Sequence, residues 1–257
     1  MEEIALTSTS GHPVSVVASI PASARTCLIM SHGFTSNMQG PFYKAVEREL
    51  NQVGIGTLRY EYYGHGSLYG FRSNYGVTPD VTLTKAVASL DAVVSYARSL
   101  GVAIIGLLGS SFGGLVSLVY ASSEPGIRVL VLKSPVSDPV SFWKSRLGDQ
   151  GIASWEREGQ ISYGEGPAQY RLNVEFWRDL QKFDPLGIAQ RISCPTLIVH
   201  GDKDTVVPIE QSRSLARRIR SQFHVVSGAG HAYDGDGQIE EVKAVALDFL
   251  GTHLTEK

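Results

Sequence analysis

Eight short apolar runs rich in β-branched residues recur along the chain, and from the third onward helix-patterned segments separate them. The runs are EIALTS near the start, VSVVASI from Val14, TCLIMSH from Thr26, IGTLRY from Ile55, AIIGLLG from Ala103, RVLVLK from Arg128, PTLIVHG from Pro195 and FHVVSG from Phe223. The first two read as a hairpin around Ser10-Gly11. Between the rest, Phe42 to Val53, Val81 to Leu100, Phe112 to Ser122, Glu210 to Arg220 and Glu240 to Leu254 place apolar residues three and four apart. Pro41 suits a first helical turn. Alternation of this kind requires a mainly parallel sheet with right-handed crossovers and helices on both faces. The nearly continuous apolarity of the late runs agrees with strands covered on both sides.

One interval breaks the alternation. From Pro135 to about Ile192 no clear strand is visible, and all three tryptophans fall there, with Phe142, Tyr163, Tyr170, Phe176 and Phe183. So long an interval is not a plain loop. It predicts a mostly helical cap over residues 136–192, inserted into a core made of 1–135 and 193–257. The cap aromatics serve either a substrate pocket or a satellite core of the cap itself. Trp143, Trp155, Tyr170 and Trp177 are the candidates for substrate binding.

The remaining composition narrows the function classes. The chain has 257 residues, enough for one large α/β domain with an insertion, and its formal net charge of −2 comes without a basic stripe for nucleic acid. Arg213, Arg217, Arg218 and Arg220 cluster at helical spacing, as on a solvated helix face. No apolar run approaches the roughly 20 residues of a membrane span. The N-terminal MEEIALTSTSGHPVSVV lacks the basic segment and apolar core of a secretory signal. Cys27 and Cys194 both fall in predicted buried strands, with no disulfide framework or zinc spacing. Two reduced thiols and a cytoplasmic protein are therefore expected. A metal or organic cofactor is not expected.

The chemistry centres on LLGSSFGGLVSLVYA, from Leu107 to Ala121. Ser111 sits between Gly109 and Gly113, after a strand and before a helix. A sharp strand-to-helix turn lifts its central residue above the sheet edge, and small flanking residues keep strand and helix apart. The helix N-terminus beside it favours an oxyanion. Ser110 is the nearest rival but is off-centre in the pattern. A serine hydroxyl needs a base to take its proton, and that base is a histidine held by a carboxylate. His231, in SGAGHAYDG after the last strand, can reach over the sheet edge. His12 and His253 lie near the ends, His65 lies in a loop, His224 lies inside a strand and His200 ends one. For the carboxylate, LIVHGDKDTVVP offers Asp202, placed to organise a turn, and Asp204 further along, which is preferred; Asp138 is the runner-up. The oxyanion donors are then the backbone N–H of Phe112 and that of Phe34 in SHGFTSN, where His32 braces the loop.

On these residues the sequence resembles the α/β-hydrolase superfamily over essentially the whole chain. The matching positions are His32-Gly33-Phe34, Gly109-Ser110-Ser111-Phe112-Gly113, Gly201-Asp202-Lys203-Asp204 with Val207-Pro208, and Gly230-His231. Within the superfamily it is similar to small capped serine esterases. RYEYYGHG, Arg59 to Gly66, resembles the bacterial cinnamoyl (feruloyl) esterases and the monoacylglycerol lipase and acyl-peptidase relatives. Glu61 stands where these have Asp, and SLYGFRSNYG stands where they have a short serine-containing turn. The resemblance implies an eight-stranded, mostly parallel α/β-hydrolase sheet and a serine carboxylesterase acting through an acyl-enzyme. It also implies a cap that binds the acyl group, with Tyr170 matching a cap tyrosine. The expected partner is a small-molecule ester, of an aryl or short-chain acyl group or a hydroxycinnamate. The rivals are a thioesterase or acyltransferase with the same triad, and a ligand-binding protein on a hydrolase scaffold. A homodimer is one assembly left open.

Overall fold

The computed structural model describes residues 2–66, 77–164 and 169–254. The departure SLYGFRSNYG, residues 67–76, lies outside them. Eight strands form one sheet: β1 (Glu2–Thr7), β2 (Pro13–Ser19), β3 (Thr26–Ser31), β4 (Gly56–Glu61), β5 (Ile104–Ser110), β6 (Ile127–Lys133), β9 (Thr196–Gly201) and β10 (Ser221–Val226). Two more, β7 (Gln160–Tyr163) and β8 (Tyr170–Asn173), form a separate ribbon. The order across the large sheet is β1-β2-β4-β3-β5-β6-β9-β10. The β1–β2 and β2–β4 pairs are antiparallel, and all the other pairs are parallel. This is the α/β-hydrolase sheet that the resemblance implied, with the hairpin at its N-terminal edge.

Side-chain alternation divides the core in two. In β3, Cys27 and Ile29 face one way and Leu28 and Met30 the other, and all four are buried. The first face packs on α2 (Leu83–Ser99) and α3 (Phe112–Ser123), through Leu90, Val93, Leu115 and Val116 among others. The second packs on α1 (Pro41–Gln52) and α8 (Gln238–His253), through Val46, Leu50, Val242 and Leu250. Helix starts follow local chemistry. Pro41 opens α1, and Thr82 caps α2 by accepting the Lys85 N–H at 3.2 Å.

The interval between β6 and β9 carries α4 (Pro139–Glu158), the β7–β8 ribbon, α5 (Val174–Leu180) and the short α6 (Pro185–Ile188), with α7 (Ile209–Ala216) following β9. Asp138 caps α4 by accepting the Ser141 N–H, and Gly148, at φ 64° and ψ 171°, breaks that helix in two. The antiparallel ribbon corrects the expectation of a stretch without strands. Its strands are four residues long and only partly buried, too short for a period of two to register. Cys194 is a second correction: it precedes β9 and is only partly buried, because Pro195 delays the strand start to Thr196. Among the described residues, no helix is long and apolar enough to cross a membrane.

Candidate active site

The C-terminal ends of β3, β5, β9 and β10 carry the four loops that matter. Ser111 bridges β5 and α3 at φ 54° and ψ −116°, a conformation that costs a non-glycine residue about 1–3 kcal/mol. Backbone bonds hold it there: its N–H donates to Lys133 O at 2.9 Å, and its carbonyl accepts from Leu115 and Val136, each at 3.2 Å. The turn is possible only with small neighbours. A β-carbon on Gly109 would stand 2.3 Å from Gly113 O, and the place of one on Gly33 is 3.5 Å from Ser111 Cβ. The β3 loop thus passes close beside the serine. Phe112 is the first residue of α3, so its N–H has no partner within the helix.

The loop after β9 presents a fully buried carboxylate. Asp204 Oδ1 accepts the N–H groups of Val206 at 2.9 Å and Val207 at 2.8 Å. Its Oδ2 lies 2.6 Å from His231 Nδ1 and 3.2 Å from His200 Nε2. Burial alone pushes this carboxyl's pKa up, but bonds from His200, His231 and Val207 outweigh it and hold the group well below the usual carboxylate range. His231 therefore faces an ionised partner through Nδ1, which leaves Nε2 as the nitrogen able to take a proton. Beyond Asp204, Lys133 has its Nζ 4.5 Å from the centre of the Tyr233 ring. Burial pushes that ammonium down to about 8, against the pull of the Asp204 charge.

The other candidates are occupied elsewhere. Asp202 is exposed and accepts the Gly228 N–H at 2.6 Å, as a turn organiser does. His224 pairs with Glu241, His12 packs on Tyr63, and His253 packs on Phe249. Ser110 is buried on the side of the sheet opposite Gly109.

Histidines also brace the β3 loop from beneath. His65 is buried and accepts the Thr35 N–H at 3.3 Å. His32 Nδ1 meets Gly33 O at 2.8 Å, and its Nε2 lies 2.9 Å from Glu61 Oε2, off the line of a good hydrogen bond. Glu61 also accepts the Met38 N–H at 2.9 Å, and the Tyr62 hydroxyl donates to His32 O. The Glu61 side chain fills the space beside Gly66, where a β-carbon would come within 2.6 Å of it.

Ser111 and His231 open on one cavity of about 200 Å³, with Phe34 and Phe112 in the same wall. The cap completes it with Trp143, Phe142, Tyr163 and Phe176. Of the four cap residues expected to bind substrate, only Trp143 lines this cavity. Trp155 and Trp177 stack on each other, buried, with their indole N–H groups donating to Leu172 O and Glu156 Oε1, each at 3.0 Å. Tyr170 pairs across the ribbon with Tyr163 and is not among the lining residues. Phe142, Tyr163 and Phe176 belonged to the recognised cap aromatics, but nothing in their spacing marks them as pocket residues. A larger depression of about 550 Å³ lies at the N-terminal ends of β5 and β6 and holds none of these side chains. In open α/β sheets, ligands bind at the carboxyl ends of the strands.

The family model described as "Alpha/beta hydrolase family" matches residues 28–245. The chain belongs to that family. The chain is 27% identical over 201 residues to Palmitoyl-protein thioesterase ABHD10, mitochondrial, of Mus musculus, covering 76% of this chain and 64% of that one. It is 27% identical over 173 residues to Serine hydrolase BPHL of the same organism, covering 61% and 59%. The chain thus spans less than two thirds of the length of these curated relatives. Among solved structures, the chain superimposes on Est1E from Butyrivibrio proteoclasticus, determined with ferulic acid bound. That match has a TM-score of 0.81 and 25% identity, and covers 98% and 99% of the two chains.

Proposed function

We propose that this chain is a serine hydrolase that cleaves carboxylic esters of small aryl or short acyl groups through an acyl-enzyme. The observation that carries the reading is the shared cavity. Ser111 and His231 line one apolar pocket, and Nδ1 of that histidine is held by a buried, ionised Asp204. His231 Nε2 takes the hydroxyl proton as Ser111 Oγ attacks the acyl carbon. The N–H groups of Phe34 and Phe112 receive the oxyanion. The C–O bond to the leaving group breaks, and the alcohol departs with the proton from His231. Water, deprotonated by the same nitrogen, then releases the acid. Asp204 orients His231 and stabilises its charged form throughout.

Pocket size favours a small acyl group. About 200 Å³ is below the 300–1,000 Å³ common for drug-sized ligands. The aromatic walls suit a flat ring, and ferulic acid in Est1E supports a hydroxycinnamoyl ester as the leading candidate. The thioesterase name of the mouse relative favours a second reading, in which the same triad opens a thioester.

Initial rates on p-nitrophenyl acetate through decanoate, methyl ferulate, methyl p-coumarate and a matching S-acyl thioester test both readings. The expected result is a higher kcat/KM for the hydroxycinnamates than for the alkyl esters. Labelling by a fluorophosphonate is expected at Ser111 alone. Full activity in Ser111→Ala would sink the mechanism, and an inert, well-folded protein would favour a binding role.

A further inference from the structure

His200 lies directly behind the carboxylate, wholly buried at the end of β9. Its Nε2 is 2.8 Å from the carbonyl oxygen of Val207 and 3.2 Å from Asp204 Oδ2. Both neighbours are acceptors only, so Nε2 carries the hydrogen. Its Nδ1 is 2.6 Å from Ser212 Oγ on α7, a hydroxyl that can donate. A neutral ring with the proton on Nε2 accepts from Ser212, donates to Val207 O and turns the same N–H edge toward Asp204 Oδ2. Asp204 then has three hydrogen-bond donors, two backbone N–H groups on Oδ1 and His231 on Oδ2, and the polarised Nε2–H edge of His200 stands 3.2 Å from the same Oδ2.

We propose that His200 is a positioning residue for the Asp204 carboxylate, setting its Nε2–H edge against the same Oδ2 that holds His231 and thereby tuning how tightly Asp204 holds the proton on His231. The inference rests on the triad reading above. A carboxylate that spends part of its charge on a second donor is a weaker partner for the imidazolium. Removing that contact leaves more of the carboxylate's charge to the His231 bond and favours the charged imidazolium. The base is then blocked by protonation to a higher pH. Among the described residues, the other ionisable groups around the pair include Lys133 and Tyr233, both of which feel the Asp204 charge, and Arg146 of α4, whose guanidinium reaches Val206 O at 3.5 Å. All three are the same in every variant compared.

The test uses amide isosteres. The side-chain nitrogen of His200→Gln falls near Nε2 and keeps a donor to Asp204, whereas that of His200→Asn falls near Nδ1 and does not. The acid limb of the kcat/KM profile on p-nitrophenyl acetate is expected to move up by about one pH unit in His200→Asn. It is expected to stay in place in His200→Gln. A purely structural role lowers both profiles without moving the limb, and that outcome, or an equal shift in both variants, overturns the proposal. Nitrogen-15 imidazole spectra of the unaltered protein give a check that needs no variant. The His200 ring must be the Nε2–H tautomer, and an Nδ1–H tautomer overturns the proposal. Ser111→Ala run alongside separates the two claims. If it stays active, the triad reading fails; if it is dead and the limb is unmoved, only the role of His200 fails.

Discussion

Gly113 packs so tightly under the β3 loop that a β-carbon on it would stand 2.2 Å from the carbonyl oxygen of Ser31. The neighbouring His32 carbonyl would be only 2.4 Å away. These are backbone atoms, so no side chain can swing aside. Gly113→Ala must therefore push the nucleophile turn and the β3 loop apart. The expected cost is about 1–3 kcal/mol of stability, read as a lower Tm. Ester turnover should fall further than the unfolded fraction explains, because Phe34 moves relative to Ser111. A variant with lower Tm but unchanged kcat would show that the two loops need not be in register.

Asp204→Asn keeps the size of the side chain and removes its charge. A fall in kcat of about 10³–10⁴-fold is expected, because the amide favours the wrong tautomer of His231. The folded-state pKa of Asp204 is depressed, so its contribution to stability is present above the unfolded value of about 3.9 and is lost as pH falls toward the folded one. Denaturant melts between about pH 5 and pH 2 should consequently be flatter in Asp204→Asn than in the parent. Parallel curves would mean that Asp204 is protonated alike in both states.

The two thiols should behave differently. Cys27 is wholly buried in β3, and burial drives its pKa far up. Cys194 is partly exposed, and burial raises its pKa too. A thiol reagent such as Ellman's should react slowly with Cys194 in the folded protein and with Cys27 only in denaturant. One fast and one slow thiol under native conditions would contradict the packing of Cys194.

Two tryptophans give a contrast within the cap. Trp155→Ala removes a buried indole and its bond to Leu172 O, with an expected cost of about 3–5 kcal/mol. Trp143→Leu changes a cavity wall and should shift preference toward bulkier acyl groups, with a smaller loss of Tm. An ester panel with paired melts separates them. Equal selectivity changes in both would place Trp155 in the pocket after all.

The large sheet was legible because its signals are long or locally encoded. Eight apolar runs matched its eight strands, and Gly109, Ser111 and Gly113 fell where a strand had to turn into a helix. The preference for Asp204 over Asp202 came from loop position alone; the structure adds that Asp202 spends its oxygen on Gly228. What stayed hidden depends on contacts between distant segments. Trp143 and Trp155 are one short helical stretch apart, yet one lines the cavity and the other fills the cap. Only the placement of Phe34 and Leu172 beside them tells which is which. His200 read as a strand terminus because its partners, Ser212 and Val207, are brought to it by the turn into α7.

The ring of Phe34 stacks on Phe176 of the cap with centroids 5.3 Å apart, and meets Phe112 edge-on at the same distance. In the proposed mechanism the backbone of Phe34 and Phe112 frames the reacting carbonyl, and their side chains form the floor on which the cap rests. Any exchange at Phe176 that reshapes the acyl site also loosens the footing of both donors. On that mechanism, chain-length preference and catalytic speed are geared together in this scaffold. Redesign of one without the other has to begin at residues such as Tyr163 and Phe142, which touch the cavity without stacking as closely on Phe34.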